Sequence, residues 1–172
     1  MTNILVTGAS GGIGAAICKA LSVRGVTVVL HYQSDRAAAE ATRQVMEGGG
    51  HTIIQADLSN PTSIERLWQE ASALKRIDAI INNAGIFPNH PPLTTGYADW
   101  TAAWQRTLAI NLTGPAHLSY CAARKMVEQG RGRIVNVSSR SAFRGEPEAP
   151  AYAASKARFE CAQPIAGKSA WT

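Results

Sequence analysis

The chain has 172 residues, 45% apolar and 17% charged, which suits one globular domain with a real core. Its net charge of +5 comes from Lys and Arg spread along the chain, loosely grouped only at Arg124, Lys125, Arg131 and Arg133; an anionic cofactor accounts for that balance without a nucleic-acid partner. No window approaches ~18 uninterrupted apolar residues and the start MTNILVTGAS carries no basic leader, so neither a membrane partner nor a signal peptide is expected, and the scattered Cys18, Cys121 and Cys161 suit a reducing, cytoplasmic setting.

In chain order, strand-like runs alternate with helical segments: ILVT (4–7) then 12–24, VTVVLHY (26–32) then 36–47, HTIIQA (51–56) then 61–74. IDAII (77–81), one long helical stretch over roughly 99–129, and RIVNVS (133–138) complete the series. Near-continuous apolar strands imply burial on both faces of a parallel sheet, and the alternation implies a doubly wound α/β fold. The piece FPNHPPLTTGY (87–97) is too rich in proline for regular structure and follows a strand, where such folds place ligand loops. His31, His51, His90 and His117 show no ligand spacing, so no metal site is expected. The tryptophans at 68, 100, 104 and 171 are read as packing or surface residues.

"LVTGASGGIGAAI" follows the first strand and opens the first helix. Gly8, Gly12 and Gly14 free the backbone for a phosphate to reach the helix start, with Ser10 and Ile13 between them. The spacing G-x-x-x-G-x-G departs from the common dinucleotide pattern, and a tight strand-to-helix corner is the bland alternative. No carboxylate stands at the end of the second strand, where an acid would meet a free ribose 2′-OH. Gln33, Ser34 and Arg36 can instead receive a 2′-phosphate, which favours NADP; Asp35 keeps NAD open.

TGASGGIG (7–14), NNAG (82–85), Asn111 in AINLTG, NVSS (136–139) and YAASK (152–156) stand in an order that resembles the short-chain dehydrogenase/reductase family, over residues 3–157. The resemblance implies a Rossmann-type domain over 1–157 and hydride transfer between NADP(H) and a small carbonyl or alcohol substrate. It assigns Tyr152 as acid/base, Lys156 to lower its pKa and hold ribose, Ser139 to polarise the substrate oxygen, and Asn111 to hold a relay water. Ser139 is chosen over Ser138 because it lies thirteen residues before Tyr152, and Ser141 is a weaker competitor. Asn111 has a second reading, a buried amide bonded to neighbouring backbone. The resemblance also places Asn83, Ala84 and Gly85 beside the adenosine ribose, Asp57 and Leu58 near adenine, and the long helix against a second subunit. Asp57 can equally cap the turn that follows it. The Tyr/Lys chemistry stands without the family: residues i and i+4 share a helix face, and lowering a phenol by ~3 pKa units takes about 4 kcal/mol of phenolate stabilisation.

From Arg158 the sequence leaves the family pattern, and the last two strands of that fold are not present in 158–172. Synonymous codons for RFECAQPIAGKSAWT exist whose second frame reads GLNALSQSLAKALG, a good amphipathic helix. A one-base shift after Ala157 is therefore expected, with Pro164 ending the helix and the fifth strand left with an open edge. The alternative to an enzyme is an inactive truncated remnant that at most binds nucleotide.

Overall fold

Alternate residues of an extended strand point to opposite faces, so strands apolar at every position need cover on both sides. The computed structural model, which describes residues 2–161, meets that need with a parallel sheet between helical layers. The strands are β1 (Asn3–Val6), β2 (Thr27–Tyr32), β3 (Thr52–Gln55), β4 (Ala79–Asn82) and β5 (Arg133–Asn136), in the order β3-β2-β1-β4-β5. Leu5, Val29 and Ile80 face a core with Leu67 and Trp68 of α3 (Pro61–Leu74) and Leu118 and Met126 of α5 (Gly114–Glu128). Their neighbours Val6, Val28 and Leu30 face a second core with Cys18 of α1 (Gly12–Ser22) and with Met46, just past α2 (Arg36–Gln44). Burial pushes the Cys18 thiol up to about 12, so it is packing, not chemistry.

All neighbours are parallel, and the chain steps outward from β1 in one direction through β2 and β3, then in the other through β4 and β5. The reversal puts a crevice at the carboxyl ends of β1 and β4, the place where doubly wound sheets bind ligands. Burial on both faces holds for all six residues of β2 but not for β5, where Arg133, Val135 and Asn136 are exposed. Among the described residues β5 has β4 as its one neighbour, and an edge strand keeps less cover.

The long helix expected over 99–129 is interrupted. It begins as α4 (Tyr97–Leu108), widens into a π turn (Ala109–Thr113) and resumes as α5. Gly114 and Pro115 explain the break. Pro115 has no N–H and its ring clashes with the carbonyl four residues back, that of Asn111. The Thr113 hydroxyl donates to the loosened Ala109 carbonyl at 3.1 Å. At Gly114 the helix passes so close to the β3–α3 connection that a Cβ would lie 2.4 Å from the Leu58 carbonyl oxygen. The last helix, α6 (Pro150–Cys161), crosses the boundary expected at Ala157; Pro164 and the rest of the expected tail lie outside the described residues.

Gly114→Ala gives opposite answers from propensity and from packing. Propensity alone favours Ala by about 1 kcal/mol. The Leu58 clash is expected to win, lowering the unfolding free energy in urea by about 1–3 kcal/mol; a stabilised variant would refute the close approach.

Candidate active site

β1 and β4 end side by side, and two side chains tie off their last backbone groups. The Thr7 hydroxyl accepts from the N–H groups of Asn83 (3.0 Å) and Ala84 (3.1 Å). The Asn83 amide donates back to the carbonyls of Thr7 (2.9 Å) and Gly8 (3.2 Å). Three of the turn's four glycines, Gly8, Gly12 and Gly14, then serve two different needs. Gly8, at φ +67°, would put a Cβ 2.8 Å from the Ala84 Cα, and a Cβ on Gly14 would lie 2.0 Å from the Gly8 carbonyl oxygen. Those two let the turn, the helix and β4 close together. Gly12, at φ +54°, would meet nothing within 4 Å, so its freedom serves the open side. Gly11 starts α1 without a side-chain cap or an acid in the first turn, leaving N–H donors directed outward.

Above this turn lies a cleft of about 580 Å3. It is lined by Gly8, Ser10, Gly12 and Ile13 from the turn, by Gln33 and Ser34 after β2, and by Leu58 after β3. Asn83, Ala84 and Gly85 after β4, with Tyr152 and Lys156 of α6, close the other side. Four expected residues are not part of that lining. Gly14 packs under the turn, and Asn111, Asp57 and Ser139 are occupied elsewhere.

Asp57 accepts from the N–H (2.9 Å) and hydroxyl (2.7 Å) of Ser59, and these bonds hold its carboxyl below the usual range. That is the turn-capping alternative. The Asp35 carboxylate, kept open as a ribose ligand, accepts from Ala38 N–H at 2.8 Å and caps α2. The cleft wall also holds His31, which spacing arguments had set aside. Its ring is buried, with Nδ1 accepting from Gly8 N–H (3.1 Å) and Nε2 donating to the Ala56 carbonyl (3.1 Å). Both partners fix one neutral tautomer, and burial lowers its pKa to about 4.

On α6, Lys156 is buried and donates to the Val137 carbonyl at 2.9 Å. Burial keeps its ammonium below the usual lysine range. Two of its three N–H donors are left for the cleft, and Nζ lies 5.8 Å from the centre of the Tyr152 ring. Phe87 meets the same ring edge-on at 4.7 Å. Ser138 reaches the cleft, whereas the Ser139 hydroxyl donates to Ser141 Oγ (3.1 Å) and accepts from Ser141 N–H (3.2 Å). Asn111 is buried in the π turn, its Oδ1 accepting from Ile86 N–H (2.8 Å) and its Nδ2 donating to the Ile86 carbonyl (2.9 Å) and Ser155 Oγ (3.3 Å). That is the geometry of an amide bonded to neighbouring backbone. Ile86, Phe87, Ile110 and Val137, which the sequence did not single out, complete the apolar lining.

The sequence profile of the short chain dehydrogenases matches residues 2–160. A 3-oxoacyl-[acyl-carrier-protein] reductase of Synechocystis sp. is 36% identical, over 89% of this chain and 62% of its own length. A 2-dehydro-3-deoxy-D-gluconate 5-dehydrogenase of Bacillus subtilis is 34% identical, over 88% of this chain and 58% of its own. The crystal structure of a metagenomic short-chain oxidoreductase in complex with NADP superposes with a TM-score of 0.79 at 34% identity, over 90% of this chain and 70% of that one. The chain thus spans about three fifths of the length of these curated relatives.

His31 gives the site an acid sensitivity of defined sign. Its folded pKa lies below the unfolded value of about 6.5, so the unfolded chain takes up the proton first as pH falls. Stability is full above that value and is lost as pH falls toward 4, at about 1.4 kcal/mol per unit. Unfolding free energies in urea are expected to drop by about 2 kcal/mol between pH 7 and pH 5, and His31→Asn to flatten that slope. An equal slope in the variant would remove His31 as the cause.

Proposed function

The chain belongs to the short-chain dehydrogenase family, and from that we propose that it binds NADP(H) in the cleft and interconverts a small carbonyl compound and its alcohol. The observation that carries this is the meeting, in one cleft, of an uncapped helix start and the Tyr152/Lys156 pair. The cleft suits a dinucleotide on its own chemistry: Gly12 leaves open space, α1 offers unspent N–H groups to a pyrophosphate, and Lys156 keeps two donors for ribose hydroxyls. Asp35 spends Oδ1 on the cap of α2 and lines the cleft beside Gln33 and Ser34, while Arg36 is exposed next to it; a cationic and hydroxyl-bearing turn with no carboxylate at the strand end itself supports NADP over NAD. The similar oxidoreductase solved with NADP supports the same choice.

When bound, the nicotinamide supplies or accepts the hydride. Tyr152 gives its phenolic proton to the carbonyl oxygen in reduction and takes it back in oxidation. The Lys156 ammonium stabilises the phenolate that each proton transfer passes through. Ser139 polarises the substrate oxygen once its hydroxyl turns from Ser141, with Ser138 as the nearer rival. Asn111 acts from behind, holding Ile86 and Ser155 and, in this proposal, a water that relays the proton. A reducing, cytoplasmic location fits the free thiols Cys18 and Cys121. Self-association through the long helical segment fits the exposure of Tyr120 and Val127 on α5.

Oxidation of NADPH against a panel of small ketones tests the reaction. Tyr152→Phe is expected to lower kcat by about 10²-fold or more while NADPH affinity holds. NADP is expected to raise the melting temperature more than NAD does. Nucleotide binding with no turnover of any carbonyl would sink the enzyme reading and leave the binding-only one.

A further inference from the structure

We propose that His90 is a positioning residue for Tyr152, acting by capping the active-site helix from the loop after β4. This rests on the reading of Tyr152 as the proton donor. The start of α6 lacks a cap of its own. Ala149 precedes it and has no side-chain acceptor, and Pro150 has no N–H, so Ala151 supplies the helix's first N–H. His90, 61 residues earlier in the chain, meets that need: its Nε2 accepts from Ala151 N–H at 3.2 Å. The Nδ1–H donates to the Pro88 carbonyl at 2.8 Å, and the His90 backbone N–H donates to the Glu148 carbonyl at 2.7 Å. Since Pro88 O can only accept and Ala151 N–H can only donate, one neutral tautomer satisfies both. The ring is 1% exposed, so water cannot replace it.

The loop after β4 is therefore pinned twice, at Ile86 by Asn111 and at His90 by the start of α6. Phe87 lies between the two pins and sets its edge against the Tyr152 ring. Tyr152 is the residue immediately after Ala151. Release of His90 frees the backbone next to Tyr152 and the aromatic wall beside its ring together, and a misplacement near 1 Å is enough to cost roughly 10²-fold in rate.

Two substitutions separate the accepting nitrogen from the volume that surrounds it. His90→Phe keeps the bulk and cannot accept; His90→Gln keeps an acceptor near the Nε2 position. In the full chain with 13C-labelled tyrosine, the Tyr152 ring signal is assigned by its loss in Tyr152→Phe. His90→Phe is expected to move that signal toward the position of a free tyrosine, and His90→Gln to hold it. In ketone reduction, His90→Phe is expected to lower kcat roughly tenfold or more with the NADPH Kd within about twofold, while His90→Gln stays within about threefold of the parent. If the parent chain turns over no ketone, the function proposed above fails, and the ring signal alone still decides the role of His90. A parent-like signal in His90→Phe, or equal damage in both variants, overturns the proposal. If His90→Phe does not fold, His90→Gln decides: a displaced Tyr152 signal there overturns it, and a held one supports it.

Discussion

The structure depends on how β1 and β4 finish. A parallel strand that stops inside a buried sheet leaves N–H and C=O groups with no ladder partner, and such groups must be satisfied. Thr7 and Asn83 satisfy them for each other, with the Thr7 hydroxyl taking two N–H groups and the Asn83 amide donating to two carbonyls. That reciprocal knot lets both strands end at the same level and side by side. The glycine turn, the crevice and the loop toward α4 all start from it. A cleft at this point of a doubly wound sheet is thus a product of backbone accounting as much as of any ligand.

From the knot outward, the site is built by side chains that bond to backbone in other segments. His31 joins the glycine turn to the end of β3, Asn111 joins the π turn to the loop after β4, and Lys156 joins α6 to the end of β5. Each is buried, and each bonds a main-chain group of another segment. Bonds of this kind fix distances between elements more tightly than apolar contact does, because their geometry is directional. The cleft walls are consequently set by polar pins, while the two apolar cores beneath provide most of the favourable burial.

The fold and half of the site were legible in the sequence for a physical reason: both are local. The period of apolar residues gives strands and helices, the glycine turn sits between β1 and α1, and Tyr152 and Lys156 share one helix face. The pins were not legible, since their partners lie 23, 25 or 61 residues away and only folding brings them together. His31 and His90 lack the spacing of metal ligands, but a histidine serves equally well as a neutral acceptor. The π turn does leave a trace in the sequence, the Gly114–Pro115 pair inside an otherwise helical run, since a proline there breaks the bond to the Asn111 carbonyl. Asp35 likewise carried a local signal, an acid just before an Ala-rich helix, which is a cap before it is a ribose ligand. Ser138 and Ser139 are adjacent, and only the path of the backbone after β5 decides which one reaches the cleft.

The π turn has one more effect, on chain length. An α-helix advances about 100° per residue, so one extra residue in a wide turn resets the phase of everything that follows. Leu118, Ala122 and Met126 of α5 face the core downstream of the wide turn at Ala109–Thr113, so that turn sets which residues of α5 are buried. The segment can therefore drift in residue type far more readily than in residue number, since losing a single position would rotate the buried stripe of α5 toward water. A count, fixed in one turn, keeps the core and the cleft in register.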